Sequence, residues 1–302
     1  MILLLDAVTG WTLFASLAVC TGVVLGRWVV LPPAGGDSSA PAGDLRAATA
    51  RLGRGAVVFL CTALALVFVR QLLEFRDPFV PWGADARLLL GGTPWGKVWL
   101  VAVGFLIAAL WGFQRAVQGL AAGWWTATAA VLALGAFPAF TGHANAGEIR
   151  EITLTADILH VWAAGGWIGG LTLVLFLELG QRRARGPDAP SLLPVFVPRF
   201  SRLAMACVVT LVATGGFASW VHVGGVGALV GTVYGRLLLL KMGLAALVLA
   251  LGAVNFKRIT PRLGDPVGQA AMVRAAALEL ALASAVFAVT AILVRTSPVE
   301  VP

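Results

Sequence analysis

Residues 141–170 read TGHANAGEIREITLTADILHVWAAGGWIGG, and how this stretch is understood decides the fold. It holds two of the chain's three histidines, His143 and His160, together with Glu148, Glu151 and Asp157, between apolar runs on either side. Ionisable groups beside or inside an apolar span are costly and call for a partner, a water-filled cavity or a function. The apolar runs reach about 20 residues, the length that crosses the hydrocarbon core of a bilayer as a helix. A soluble domain would break such runs with charged faces after about 5 to 12 residues. The stretch therefore marks one membrane helix ending, a short polar mouth, and the next helix entering.

The whole chain has the same character. Of its 302 residues 59% are hydrophobic and 12% charged, against roughly 25% charged in an average soluble protein. Eight spans are predicted, near 8–31, 55–75, 94–117, 121–140, 153–178, 203–222, 234–255 and 272–294, which makes an all-α polytopic membrane protein built as a bundle of about eight transmembrane helices. No soluble domain fits between them, so residues 1–302 form a single transmembrane domain. Thr93-Pro94 has the look of an N-cap followed by proline at the first helical position. Residues 32–54 are expected as a cytoplasmic linker, flexible by composition over PPAGGDSSAPAGD at 32–44. The start, MILLLDAVTGW, lacks the basic segment and cleavage site of a secretory signal, so the first span is expected to stay.

Charge gives orientation rather than a polyanion partner. The net charge is +8, but a nucleic-acid binder gathers its basic residues on one solvent face, and here they are scattered over loops. Those after spans one, three, five and seven carry Arg27, Arg46, Arg51, Arg54, Arg115, Arg182, Arg183, Arg185, Arg199, Arg202, Lys257, Arg258, Arg262 and Arg274. The positive-inside rule makes these cytoplasmic and both termini extracytoplasmic. Span four then ends outward before His143, His160 sits roughly 10 Å inside span five at 1.5 Å per residue, and span six ends outward at His222. All three histidines fall in the outer half.

Asp157 and His160, spaced i, i+3, share a helix face that Ala164 and Trp167 continue. An acid there can orient an imidazole and raise its basicity, as it does behind many metal ligands. A packed histidine satisfied by a neighbour is the bland alternative. His143 in a turn and His222 at a helix end are each open between ligand and surface residue. Glu148 lies near His143, and Met242 one to two turns into span seven adds a thioether. Imidazole and thioether suit copper better than magnesium or calcium, with zinc chemically possible. Lys241 at the same mouth needs an acidic partner if a cation is to bind.

Cys20, Cys61 and Cys207 form no CxxC pair and sit within apolar runs, so no disulfide framework or soluble zinc site is indicated. Met205 and Cys207 on span six with Cys61 on span two are candidates for a soft exit route, and are equally good core filler. Gly165 with Gly169, and Gly166 with Gly170, are GxxxG spacings that let a neighbouring helix come close. Arg70 and Glu74 are spaced to pair, and Glu279 is an intramembrane acid with no partner evident. No phosphate-binding GxxxxGK[ST] sequence is present, and no enzymatic activity is expected.

With these residues in place, the chain resembles the CopD family of copper-resistance and copper-uptake membrane proteins. The resemblance lies in TGHA at 141–144, LHVWAAGGWIGGL at 159–171, RFSRLAMACVVTLVATG at 199–215, YGRLLLLKMGLAALVLALGAVNFKR at 234–258 and VRAAALELALASAVFAVTAILVRTSP at 273–298. It is strongest over residues 135–298. It implies an eight-helix protein of the bacterial inner membrane that moves copper from periplasm to cytoplasm, paired with a small periplasmic copper-binding partner. It singles out His143 and His160 as ligands, with His222 joining them by topology. The other readings are a b-type haem electron carrier using two facing imidazoles and a non-transporting copper-delivery scaffold.

Overall fold

The computed structural model describes residues 2–31, 42–142, 149–186, 189–222 and 226–296, and of Ile2, Leu3, Ala42, His222 and Val226 the backbone only. These residues are overwhelmingly helical, and no strand occurs among them. In order come α1 (Ile2–Val29), α2 (Ala42–Phe75), the short α3 (Trp82–Gly92), α4 (Pro94–Val117), α5 (Ala121–Gly135), α6 (Phe137–Thr141) and α7 (Arg150–Ala164). A π-helical turn over Gly165–Gly169 joins α7 to α8 (Gly170–Arg185) as one span, followed by α9 (Leu193–His222), α10 (Val226–Gly231) and α11 (Val233–Val254). A second π turn, Asn255–Ile259, extends α11, and α12 (Pro266–Leu293) closes the bundle. Among the described residues eight helices are long and apolar enough to cross a membrane, the eight spans expected from sequence.

The helices overshoot the predicted spans where an amphipathic continuation follows the apolar run. Residues 42–54, expected as linker, are instead the first turns of α2. Leu45, Thr49 and Ala50 are buried there while Asp44, Arg51 and Arg54 stay exposed, so an inward apolar stripe shares these turns with outward charges. Likewise α9 begins at Leu193, ten residues early, because Leu193, Phe196, Val197 and Phe200 bury one face. Thr93 caps α4 as expected, its Oγ1 accepting from Gly96 N at 3.0 Å with Pro94 in the first turn.

α1 is the axis. It packs on α2, α5, α8, α12 and the first π turn. Its Leu13, Leu17, Cys20 and Val23 enter a core shared with α2, α4 and α5. Its opposite face is made of small residues that admit backbone: a Cβ on Gly169 would strike the Ala18 carbonyl, and one on Gly22 would strike Gly169 and Gly170. The tandem GxxxG spacings thus do what small residues do in membranes, letting two helices meet backbone to backbone. A second core lies where α8, the start of α9 and α12 converge around Trp167, Leu171, Phe196 and Met272.

Tryptophans add polar hooks between helices. Trp11 Nε1 donates to Ser284 Oγ at 3.0 Å, Trp99 Nε1 to the Leu64 carbonyl at 3.1 Å and Trp162 Nε1 to the Leu132 carbonyl at 3.0 Å. Arg70 pairs with Glu74 as expected, and also with the buried Asp6 of α1 at 2.6 Å. At the opposite end Glu178, fully buried, accepts from Arg182 Nε, Ser191 Oγ and Leu192 N, fixing the turn into α9.

Candidate functional site in the bundle

The span made of α7, the π turn and α8 runs from Arg150 to Arg185, roughly 54 Å at 1.5 Å per residue. His160 lies roughly 15 Å from its α7 end. α9 packs along α7, and the ring of His160 meets it at Thr214, Nδ1 to Oγ1 2.9 Å. The Thr214 hydroxyl has one hydrogen, which it donates to the Thr210 carbonyl at 2.7 Å. Its oxygen is therefore the acceptor at the ring, so Nδ1 carries the proton, and in a neutral imidazole the lone pair rests on Nε2. The Cε1 edge of the ring lies beside Gly215, where an added Cβ would stand 3.6 Å away.

Around this imidazole is a small set of charges. Lys241 of α11, half-buried, interacts electrostatically with both His160 and Asp157, and Tyr234 feels the field of Asp157. Asp157 is thus the acidic neighbour that Lys241 requires. Arg236 turns outward instead and donates Nε to the Val230 carbonyl at 3.1 Å. On the outer side of the α7–α9 seam, Glu151, Thr155, Leu159, Ala213 and Phe217 line an open groove of about 440 Å³.

His143 and Glu148 lie outside the described residues, as does the side chain of His222. Among the described residues no group of three or more His, Cys, Asp or Glu side chains comes together as a metal site. Met242, next to Lys241 but a hundred degrees around the helix, is 51% exposed on the bundle surface. Trp167, in the first π turn, is buried, its indole against Gly252 and the neighbourhood of Glu279. The three soft residues of the expected exit route point apart. Met205 and Cys61 are exposed on the surface, where an apolar sulfur costs nothing in lipid, and Cys207 is buried with Sγ against Gly166.

Two residues that matter escaped the sequence reading. Thr214 is one hydroxyl in an apolar run, with no spacing to link it to His160. Asn255 stands 24 residues from Glu279, yet its Nδ2 donates to Glu279 Oε1, which supplies the partner that acid lacked.

An eight-span helical bundle in which the His160 imidazole is held by Thr214 near Asp157 and Lys241 defines a multi-pass membrane protein with a polar site inside its helices. The family model of copper resistance protein D, CopD, matches residues 194–293, that is α9 to α12. Copper resistance protein D of Pseudomonas syringae pv. tomato is 27% identical over 271 residues, covering 85% of this chain and 84% of that protein. Copper transport protein CutJ of Bacillus subtilis (strain 168) is 31% identical over 218 residues, 69% of this chain, and the chain spans only 39% of its length. No solved structure matches. The last four helices of the chain thus match the CopD family model, and over most of its length the chain is similar to copper resistance protein D.

Proposed function

We propose that this protein is a copper permease of the bacterial inner membrane, carrying the ion from periplasm to cytoplasm, with His160 as a ligand on the outward-facing side. The observation that carries the reading is the Thr210–Thr214–His160 chain, which fixes the ring and leaves Nε2 as the donor atom. A hydrogen bond on the far nitrogen is the usual means of fixing the tautomer of a ligating histidine. The names of the relatives supply the metal. His143, His222 and Glu148 are the groups from adjoining segments proposed to complete the coordination, and Asp157 offsets the Lys241 charge beside the incoming cation. A small periplasmic copper-binding protein is the proposed donor.

Import needs no nucleotide: an inward-moving cation gains about 2.3 kcal/mol per charge for each 100 mV of inside-negative potential. The test is time-dependent copper accumulation in proteoliposomes with an imposed potential. Wild type should accumulate copper and His160→Ala should fall to the leak rate. Binding without accumulation would favour a delivery scaffold, and a Soret band in the purified protein would favour haem.

A further inference from the structure

Glu279 stands midway along α12, in the interior of a membrane helix. It and Asn255 are each 5% exposed. Asn255 Nδ2 donates to Glu279 Oε1, while Asn255 Oδ1 is buried with no partner among the described residues. Beside the other carboxylate oxygen is a glycine: a Cβ on Gly252 would lie 3.8 Å from Glu279 Oε2 and 3.8 Å from Trp167 Cζ2. That side of the acid is thus bounded by a backbone and the edge of an indole.

Among the described residues no cation pairs with this carboxylate, and Arg274 of α12 itself is exposed. α11 and its π turn contribute Asn255, while Lys257 and Arg258 of the same turn are exposed. The first π turn contributes Trp167. On α8, Glu178 is engaged by Arg182, which also reaches Gln269 near the start of α12. From α1, Trp11 meets Ser284, Asp6 is bound by Arg70, and Arg27 lies over Trp28 and Trp124. Arg262, in the turn before α12, lies at the arginine-rich end.

A carboxylate in an apolar span with one neutral donor is poorly compensated. A protonated acid changes that balance, because acid and primary amide satisfy each other in both directions. Nδ2–H donates to one carboxyl oxygen, and the acid O–H finds its acceptor in the Asn255 Oδ1 that is otherwise left without one.

We propose that Glu279, held by Asn255, is a proton-binding site at the centre of the bundle, and that its proton leaves when the metal cation passes. The O–H bond breaks, the proton goes to water, and the carboxylate faces the incoming charge, so for a monovalent ion the net charge of the site is unchanged. The exchange half of this statement rests on the transport reading above; the proton-binding half does not.

Infrared spectroscopy of the full chain in nanodiscs tests both. The wild type should show a protonated carboxylic C=O band that shifts when glutamate is labelled with ¹³C and is absent from Glu279→Gln; the label needs no substitution. Adding copper should remove the band, with one proton released per ion measured by a pH dye. A glutamate that stays ionised across acidic to mildly alkaline buffers would overturn the proton site. A band that persists after copper has demonstrably bound would overturn the exchange. Failure of copper to bind at all would sink the outer-site reading instead, while the pH titration of the band would still decide the proton site.

Discussion

α1 and α11 are apolar helices of one bundle, and they are used in opposite ways. Of the most apolar stretch of α1, 61% is buried, against 11% of that of α11. α1 is enclosed by neighbours and carries its small residues where backbones cross. α11 presents Leu239, Leu240, Met242, Leu247 and Val254 outward and keeps a narrow inward stripe, which holds Lys241 near His160 and Asn255 beside Glu279. With no hydrophobic force between helices in lipid, close packing falls to small side chains. Polar groups go to the thin inner face of a helix that is otherwise solvated by lipid. The close crossing of α1 with Gly169 is scaffold, and the chemistry sits on the inward stripe of a helix otherwise exposed to lipid.

This contrast is open to attack at both poles. The largest effect is expected at the α1 crossing. Gly169→Leu meets backbone that has no means of yielding, so the loss should exceed the ~1–3 kcal/mol typical of overpacked positions. Thermal unfolding and size-exclusion profiles in detergent should show a protein that fails to fold as wild type does. Thr214→Val comes next and should act on function alone. Copper affinity should fall about 10–100-fold, the usual effect of removing the group that orients a ligating histidine, with stability changed by no more than ~1 kcal/mol. If stability falls and affinity does not, Thr214 is packing.

Asp157→Asn should be milder, because it removes only the charge that offsets Lys241: a loss of less than about tenfold in affinity, or ~1.4 kcal/mol. Lowering the pH should act in the same direction on the wild type. A proton competes with copper for Nε2, so binding weakens as the imidazole charges. The smallest effects are expected for Met205→Leu and Met242→Leu, both on the lipid-facing surface. Stability should stay within about 0.5 kcal/mol and copper uptake should match wild type; a clear loss of uptake would return the thioethers to the pathway.

The same contrast explains what was legible in the sequence. Apolar runs of span length give the eight helices directly, and the paired glycine spacings reveal that something crosses the first π turn closely. They do not name the partner, because Ala18 and Gly22 on α1 are as ordinary in sequence as any small residues. The first turns of α2 were hidden because Arg46, Arg51 and Arg54 share them with the buried Leu45 and Thr49. Neither π turn has a distinguishing composition, so both were out of reach. His160 was legible because an imidazole in an apolar span is expensive. Its partner Thr214 was not, since a hydroxyl in a helix satisfies itself on the preceding turn at no cost and gives no signal.

The central claim is that Nε2 of His160 binds the metal, and copper titration of wild type and His160→Ala in nanodiscs, followed by X-ray absorption at the copper edge, tests it most directly. Imidazole nitrogen is expected among the donors in the wild type, and loss of that nitrogen with a collapse in affinity in a variant that still unfolds as wild type does. Equal affinity and an unchanged donor set in His160→Ala would contradict it.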